Sequence, residues 1–147
     1  MSRAYLTAIK RNKLSAPTQW LLDNDMLGRH ILDYGCGKGG DVAELDKLGN
    51  AVVGYDPHYY PHTEILAAIF EFDTIICNYV LNVVDQSERI KVLNKLLSLH
   101  AKNIYVTVRR DLEKDYVKTK RGTEQWQVYL DYPVVKETAG YCIYKIK

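Results

Sequence analysis

The sequence is poor in cysteine and has no long apolar run, and each shortage excludes a class of protein. Its three cysteines, Cys36, Cys77 and Cys142, cannot all pair, and none forms a C-x-x-C motif. This argues against a disulfide framework or a zinc knuckle and favours a reducing compartment. No apolar run approaches the roughly 18 residues that a membrane span requires, and the first residues lack the apolar stretch of a secretory signal. We therefore expect a soluble, cytoplasmic protein that has no membrane partner.

The length and composition are typical of one globular domain. The 147 residues are 47% hydrophobic and 26% charged, which excludes a disordered chain, a collagen or a coiled coil. We predict a single domain over residues 1–147, in which residues 1–27 form a basic N-terminal arm and a helix. Phenylalanine is scarce, with 2 copies against 12 tyrosines. Tyrosine packs as an aromatic but keeps its hydroxyl hydrated or bonded, so we expect tyrosines along grooves.

Charge is distributed unevenly along the chain. Residues 1–13 contain basic side chains and no acidic one, and residues 109–121 contain twice as many basic as acidic side chains. Acidic residues are in excess between these segments. The two basic segments form either two solvated faces or, where the fold brings them together, a rim that binds phosphate groups.

Hydrophobic periodicity predicts alternating strands and helices, which is typical of a parallel sheet with helices on both faces. Two late stretches alternate between apolar and polar residues and are interpreted as antiparallel neighbours at the edge of that sheet. In sheets of this kind, ligands bind at the carboxyl ends of the strands. The predicted strands are His30–Tyr34, Ala51–Tyr55, Asp73–Tyr79, Asn103–Val108, Gln125–Tyr132 and Tyr141–Ile146; the predicted helices are one capped by Thr18, Gly40–Leu48, a short piece over Glu64–Phe70, and Ser87–Leu99.

A glycine-rich turn follows the first predicted strand. Residues 33–41 read Asp-Tyr-Gly-Cys-Gly-Lys-Gly-Gly-Asp, which fits both D-x-G-x-G-x-G and the weaker G-x-G-x-x-G. Glycines allow a close approach of backbone to a ligand, and the free N–H groups of the following helix attract anions. Asp56 lies 19 residues after Gly37, at the end of the next strand, where a carboxylate can accept both hydroxyls of a ribose.

These segments resemble the motifs of class I S-adenosylmethionine-dependent methyltransferases. Ile31–Gly39 resembles their first motif, Val53–Asp56 their second, and Phe72–Val84 their fourth. The resemblance implies a compact, Rossmann-like α/β fold, strand order 2-1-4-5-7-6 in the numbering of that family, and S-adenosylmethionine as cofactor. The interval between Pro57 and Asp73 is short, so we expect the region of the third strand to be reduced. The residues that the resemblance assigns to the cofactor are Asp33, Tyr34, Gly35, Cys36, Gly37, Gly39, Asp56, Pro57, Asn78 and Tyr79.

The resemblance also implies individual roles. Gly35 and Gly37 would pass under the methionine part of the cofactor, Asp33 would hold its amino end, and Asp56 its ribose. Asn78 would offer backbone near the methionine amine, and Tyr79 would pack on adenine.

The acceptor is predicted to be nucleic acid, DNA or RNA. Lys13–Pro17, together with the glycine turn, Asp56-Pro57 and Asn78–Val83, also resembles methyltransferases associated with DNA phosphorothioation. The fourth strand and the N-terminal arm place basic side chains near the rim of the sheet, where they could hold phosphates. The predicted substrate-binding residues are Lys10, Arg11, Lys13, Arg109 and Arg110.

The sequence identifies no catalytic base and predicts no metal site. His58, His62 and Asp111 are candidate bases near the rim, and the HxxxH spacing of the two histidines is interrupted by Pro61. Three alternatives to a nucleic-acid methyltransferase stay open: a cofactor-binding module that needs a partner chain, a small-molecule methyltransferase, and a nicotinamide-dependent oxidoreductase that uses the G-x-G-x-x-G pattern. Because the sheet is shortened, a homodimer or a partner protein could complete the pocket.

Overall fold

A six-stranded sheet organises the structure, a computed structural model that describes residues 3–67 and 69–147. Its helices are α1 (Ala16–Asp23), α2 (Gly40–Lys47) and α3 (Gln86–Ser98), with short 3-10 helices at Ala4–Thr7, Thr63–Ala67 and Leu81–Val83. Its strands are β1 (His30–Tyr34), β2 (Ala51–Tyr55), β3 (Phe72–Asn78), β4 (Ala101–Arg109), β5 (Tyr116–Lys118), β6 (Glu124–Trp126), β7 (Val134–Glu137) and β8 (Tyr141–Lys145). None of the described helices is long and apolar enough to cross a bilayer.

The strand order of the main sheet is β2-β1-β3-β4-β8-β7. The first four strands are parallel, while β8 runs antiparallel to β4 and β7 antiparallel to β8. This confirms the predicted α/β sheet, including its order and its antiparallel C-terminal pair. The parallel strands bring their carboxyl ends to one edge, where the glycine turn begins.

Helices cover both faces of the sheet because successive buried residues of a strand point to opposite sides. Leu32 and Ile75 belong to the cluster on the α3 side, which also contains Leu96. Ile31 and Ile76 belong to the other cluster, which packs on α1 and α2. The strands are therefore apolar on both faces, as expected for the predicted parallel sheet with helices on both sides.

The edge pair contains one strand that the sequence analysis assigned wrongly. β8 is where it was predicted, but its antiparallel partner is β7, and the Glu124–Trp126 segment pairs with β5 in a separate two-stranded sheet. The physical reason is the tight turn between β7 and β8, in which the Thr138 hydroxyl accepts hydrogen bonds from the backbone of Gly140 and Tyr141. The alternation in residues 125–132 identified buried positions correctly, since Val128 is in the core, but it could not identify the partner strand.

The region of the third strand is reduced, as predicted. Between β2 and β3 the described residues form a loop and the 3-10 helix Thr63–Ala67, so β2 lies at the edge of the main sheet. The predicted helical piece over residues 64–70 is thus shorter than expected, and Ala68 within it lies outside the described residues, as do residues 1 and 2 of the predicted arm.

Candidate cofactor and acceptor site

A cavity of about 490 Å³ lies at the carboxyl edge of the sheet, between the glycine turn, the ends of β2, β3 and β4, and the N-terminal arm. Its size is within the range of small-molecule and cofactor sites. Most of the cofactor residues that the sequence predicted line it: Asp33, Gly35, Cys36, Gly37, Asp56, Pro57, Asn78 and Tyr79. Tyr34 and Gly39 do not: Tyr34 packs against the ring of Tyr55, and Gly39 precedes α2 beside the hydroxyl of Tyr60.

Asp33 is a buried carboxylate that faces this cavity. It is 4% exposed, and its pKa is raised well above the usual value, first by burial and then by the nearby Asp41 and Asp56. In the part of the chain that the structure describes, no cation offsets these effects. A carboxylate in this setting favours a ligand that brings positive charge.

The glycine turn requires its glycines. Gly35 has φ +80°, and a Cβ at this position would collide with Val80, so both conformation and space exclude a side chain. Gly37 has φ +55°, and its N–H donates to Oδ1 of Asp56 at 3.0 Å. The turn is therefore held in place at the cavity by the carboxylate that directly follows β2.

Asp56 organises the backbone on both sides of it. Oδ1 accepts the bond from Gly37, while Oδ2 accepts from the backbone N–H groups of His58 and Tyr59 at 3.0 and 2.9 Å. Each carboxylate oxygen keeps further acceptor capacity. The predicted role of Asp56 toward a ribose is compatible with these bonds, and it stays a prediction.

A second carboxylate, Asp41, joins α1 to the start of α2. Its two oxygens accept from the backbone and hydroxyl of Ser15, at 2.8 and 2.6 Å, and from the hydroxyl of Thr18 at 2.7 Å. Thr18 in turn accepts from Nδ2 of Asn78 at 2.8 Å, which leaves Asn78 Oδ1 buried without a described partner. The expected helix cap is thus not Thr18: α1 begins after Ser15, and the Thr18 hydroxyl fixes the floor of the cavity.

Tyr79 adopts a backbone conformation that is uncommon outside glycine. Its φ is +60°, and its N–H donates to the carbonyl of Thr107 at 2.8 Å. Residues held in this region cost energy and cluster at functional sites. The conformation leaves the half-buried phenol lining the cavity near Arg11, Arg109 and Asp111, and burial is the main cause that raises its pKa. Tyr79 is thus two strands away from Asp56, and its predicted packing on adenine stays a prediction.

A polar network lines the cavity beyond Tyr79. Asn82, which is 1% exposed, donates to Oε1 of Gln125 at 3.3 Å, and the same oxygen accepts from Arg109 at 2.9 Å. Arg109 also forms an ion pair with Asp111 at 2.7 Å. Oδ1 of Asn82 is buried without a partner among the described residues. This side of the cavity therefore offers an unused acceptor together with a guanidinium.

The N-terminal arm covers the cavity. The ring of Tyr5 stacks on His58 with a centroid separation of 4.0 Å, and the Tyr59 hydroxyl donates to the Tyr5 carbonyl at 3.1 Å. Ala8 lies against the glycine turn, since a Cβ on Gly37 would be 3.3 Å from it. These contacts place a basic segment directly over the expected site.

The predicted substrate-binding residues divide into three groups. Arg11 and Arg109 line the cavity, and Lys10 lines an adjoining groove. Lys13 reaches neither. Arg110 is turned into the protein: its side chain is 8% exposed, and its guanidinium bonds to Glu137, to the Val128 carbonyl and to the Tyr144 hydroxyl. Adjacent strand residues point to opposite faces, which is why Arg109 and Arg110 have different surroundings.

The candidate bases occupy distinct positions. His58 and Asp111 line the cavity, where one stacks on Tyr5 and the other pairs with Arg109, whereas His62 lies beside Glu64 at 3.8 Å. The described residues contain no group of three or more His, Cys, Asp or Glu side chains that could hold a metal ion.

Several residues of the site were missed by sequence reasoning. Lys38 could have been found, since it lies within the glycine turn. Gln125 carried no local signal, and Arg121 was marked only as part of the basic segment 109–121; the placement of the β5–β6 hairpin beside the arm brings both to the site.

Comparison with known proteins identifies one protein family and several solved structures that share the fold. The family model described as a methyltransferase domain matches residues 5–141. No curated protein sequence matches significantly.

Solved structures of low sequence identity share the fold. The 1,6-didemethyltoxoflavin-N1-methyltransferase of Burkholderia thailandensis, with bound 1,6-didemethyltoxoflavin and S-adenosylhomocysteine, has a TM-score of 0.61 at 16% identity over 88% of this chain and 76% of that one. The magnesium protoporphyrin IX methyltransferase of Synechocystis PCC 6803 with bound S-adenosylhomocysteine has a TM-score of 0.58 at 17% identity, over 88% and 79% of the chains. A SAM-dependent methyltransferase from Aquifex aeolicus has 0.52 at 15%, over 90% of each chain.

Proposed function

Because this chain belongs to the methyltransferase domain family, we propose that its cavity holds S-adenosylmethionine against Asp33 and Asp56 and that the methyl acceptor is a nucleic acid. The transferase class and the cofactor implied by the sequence resemblance are confirmed: the protein is an S-adenosylmethionine-dependent methyltransferase. The proposal concerns the roles of the individual residues and the identity of the methyl acceptor. The cytoplasm remains the proposed location.

The observation that carries the cofactor site is the unneutralised Asp33. S-adenosylmethionine brings a sulfonium and an ammonium group, and a buried carboxylate without a protein cation is a suitable partner for such charges. The backbone at Gly35 and Gly37 is free of side chains where the cavity needs room, and the Asn78 side chain presents an unpaired oxygen. These residues fit the cofactor.

The chemistry supplied by the bound cofactor is an in-line displacement, in which the acceptor forms a bond to the methyl carbon as the carbon–sulfur bond breaks and a neutral thioether leaves. The chain contributes mainly by positioning, which can supply a large part of the rate. The stacked Tyr5–His58 pair and the arm cover one side of the cavity, while hydrogen bonds among Asp41, Thr18 and Asn78 support its floor. The acceptor enters on the side of Asn82, Gln125 and Arg109.

A nucleic-acid acceptor is supported by the basic arm, since Lys10 and Arg11 lie beside the cavity without acidic partners among the described residues. A small-molecule acceptor is the second candidate, favoured by the closure of the arm over the cavity, because a base would have to be single-stranded or extruded to enter it. Whether the protein needs a partner chain is tested by assaying it alone, since methyl transfer without a partner would exclude that need. The family match argues against the nicotinamide alternative.

The first test of this proposal is calorimetric titration with S-adenosylmethionine, S-adenosylhomocysteine and NAD. We expect the first two to bind and NAD not to bind. Asp33→Asn should weaken cofactor binding roughly 10- to 100-fold, the effect of losing a charged partner. The matched control is Asp131→Asn at an exposed carboxylate that does not line the cavity, and this variant should bind as wild type does.

Transfer of a tritiated methyl group to DNA, RNA and pooled small molecules then identifies the acceptor. Incorporation into nucleic acid supports the proposal, and incorporation into small molecules alone replaces it with the second candidate. Tight cofactor binding without turnover on any pool would point to a module that needs a partner chain.

A further inference from the structure

A second depression of about 470 Å³ adjoins the cavity. One wall is the arm at residues 6–10, and the other is the hairpin formed by β5 and β6, at Thr119, Arg121 and Thr123. Lys38 and Gln125 line both this groove and the cavity. The two spaces are therefore direct neighbours that share part of their walls, so a molecule bound in the groove lies beside the cavity.

The arm and the hairpin touch each other at the end of this groove. The turn of the hairpin contains Gly122, with φ +81°, and a Cβ there would be 3.4 Å from Cδ of Arg3. The hydroxyls of Thr119 and Thr123 bond to each other at 2.6 Å, which braces the hairpin. The groove is thus formed by two segments distant in sequence, the same two in which basic residues are concentrated.

The groove is positively charged and its charges are unpaired. Lys10, Lys38 and Arg121 line it, and none of their three charged side chains has an ion-pair or hydrogen-bond partner in the part of the chain that the structure describes. None of the described lining residues is acidic, whereas the cavity beside it contains Asp33, Asp41 and Asp56. Among the described residues, the charged side chains of the groove are therefore all basic, whereas the cavity, which Arg11 and Arg109 also line, carries both signs of charge.

We propose that this groove, lined by Lys10, Lys38 and Arg121, binds phosphate groups of the acceptor and so directs its reactive end toward the cofactor. The inference rests on the proposed function and deepens it by assigning the phosphates to a place other than Arg110, whose guanidinium is used inside the protein. Lysines and arginines that have no acidic partner bind phosphate by direct charge–charge attraction, and neighbouring threonine hydroxyls add donors.

The test compares Lys10→Gln/Lys38→Gln/Arg121→Gln with a control of equal charge change, Arg29→Gln/Lys95→Gln/Lys147→Gln. The control cations are exposed and lie at or near the amino edge of the parallel strands, away from the groove. Two probes are used: a fluorescein-labelled single-stranded DNA of about 12 nucleotides, followed by anisotropy, and AMP, followed by calorimetry.

For wild type and control, three phosphate contacts predict that affinity for the DNA falls roughly 20-fold between 50 and 200 mM salt, from a slope of about −0.7 per contact. The groove variant should bind the DNA at least tenfold more weakly at the lower salt and lose most of this salt dependence. Tighter binding of DNA than of AMP identifies a polynucleotide, while equal binding of the two identifies a small phosphorylated acceptor; both outcomes support the groove as the phosphate site.

The inference is overturned if the groove variant binds both probes as the control does, or if wild type binds neither. Circular dichroism melting of both triple variants checks that the fold is kept, as expected for exposed side chains. The cofactor titration of wild type is independent of these readouts. Loss of cofactor binding there would refute the proposed function, whereas loss of groove binding alone refutes only this inference.

Discussion

The backbone N–H of Gly37 donates a hydrogen bond to the carboxylate of Asp56 across 19 residues of sequence, at 3.0 Å. The same carboxylate accepts two further backbone donors, from His58 and Tyr59. Asp56 thus ties the glycine turn to the loop after β2 at one wall of the cavity. A residue chosen from the sequence for a contact with ribose therefore also holds the glycine turn in place.

The first prediction concerns this double role. Asp56→Ala should weaken cofactor binding at least tenfold and also lower the free energy of unfolding by about 1–2 kcal/mol, because three backbone donors lose their acceptor. Calorimetry and urea denaturation measure the two effects. Asp56→Asn keeps one acceptor oxygen, so its cofactor affinity and its free energy of unfolding should both lie between those of wild type and Asp56→Ala. Unchanged stability in Asp56→Ala would show that water replaces the lost bonds.

The second prediction concerns Asp33 and stability. Its pKa is raised by burial and by the neighbouring carboxylates Asp41 and Asp56, so the native state binds its proton more tightly than the unfolded state does. The free energy of unfolding therefore falls as pH rises from the ordinary carboxyl pKa to the raised value. Asp33→Asn should melt at a higher temperature than wild type at pH 7, and this difference should vanish at acid pH. A lower melting temperature at pH 7 would contradict this account.

The third prediction concerns proton release on binding. A cationic cofactor lowers the raised pKa of Asp33, so at pH values below that pKa binding should expel a proton. Affinity should increase with pH in this range. Calorimetry in two buffers of different ionisation enthalpy at one pH measures the number of protons released. Asp33→Asn should release fewer protons, and an identical number would assign the release to another group.

The fourth prediction concerns the arm. Tyr5→Ala removes the stack on His58, and aromatic pairs contribute about 0.5–1.5 kcal/mol beyond buried area, so cofactor affinity should fall roughly 2- to 12-fold. Faster dissociation of the cofactor in stopped-flow measurements would show that the stack acts by keeping the cavity closed. Tyr5→Phe keeps the ring and the backbone carbonyl that accepts from Tyr59 and should behave as wild type does.

The fifth prediction separates Arg110 from the groove cations. Its guanidinium bonds to Val128, Glu137 and Tyr144, so Arg110→Ala should lower the free energy of unfolding by about 2 kcal/mol, the scale for losing such charged bonds. Affinity for single-stranded DNA, measured where the variant is folded, should not change. Weaker DNA binding without loss of stability would restore Arg110 as a phosphate contact.

Local patterns predicted the centre of this protein well. The apolar runs of β1 and β2 and the intervening glycines define a strand–turn–helix unit whose conformation depends on neighbours in sequence, and positive φ values at Gly35 and Gly37 require glycine there. The burial of Asp33 follows from its place inside an apolar strand. The family resemblance added the sheet order, which no local pattern contains.

What the sequence by itself determined is the set of parts: parallel strands, a glycine turn with an acid on each side, and two basic segments. Only the tertiary structure decided which parts meet. Pairing of β8 with β7 left residues 116–126 as a separate hairpin, and this hairpin met the arm to enclose Lys10 and Arg121. Arg109 and Arg110 are neighbours in sequence yet one faces the cavity and the other the interior. Which strands pair, and on which side a side chain lies, depend on contacts between residues far apart in the chain. A linear pattern does not specify those contacts.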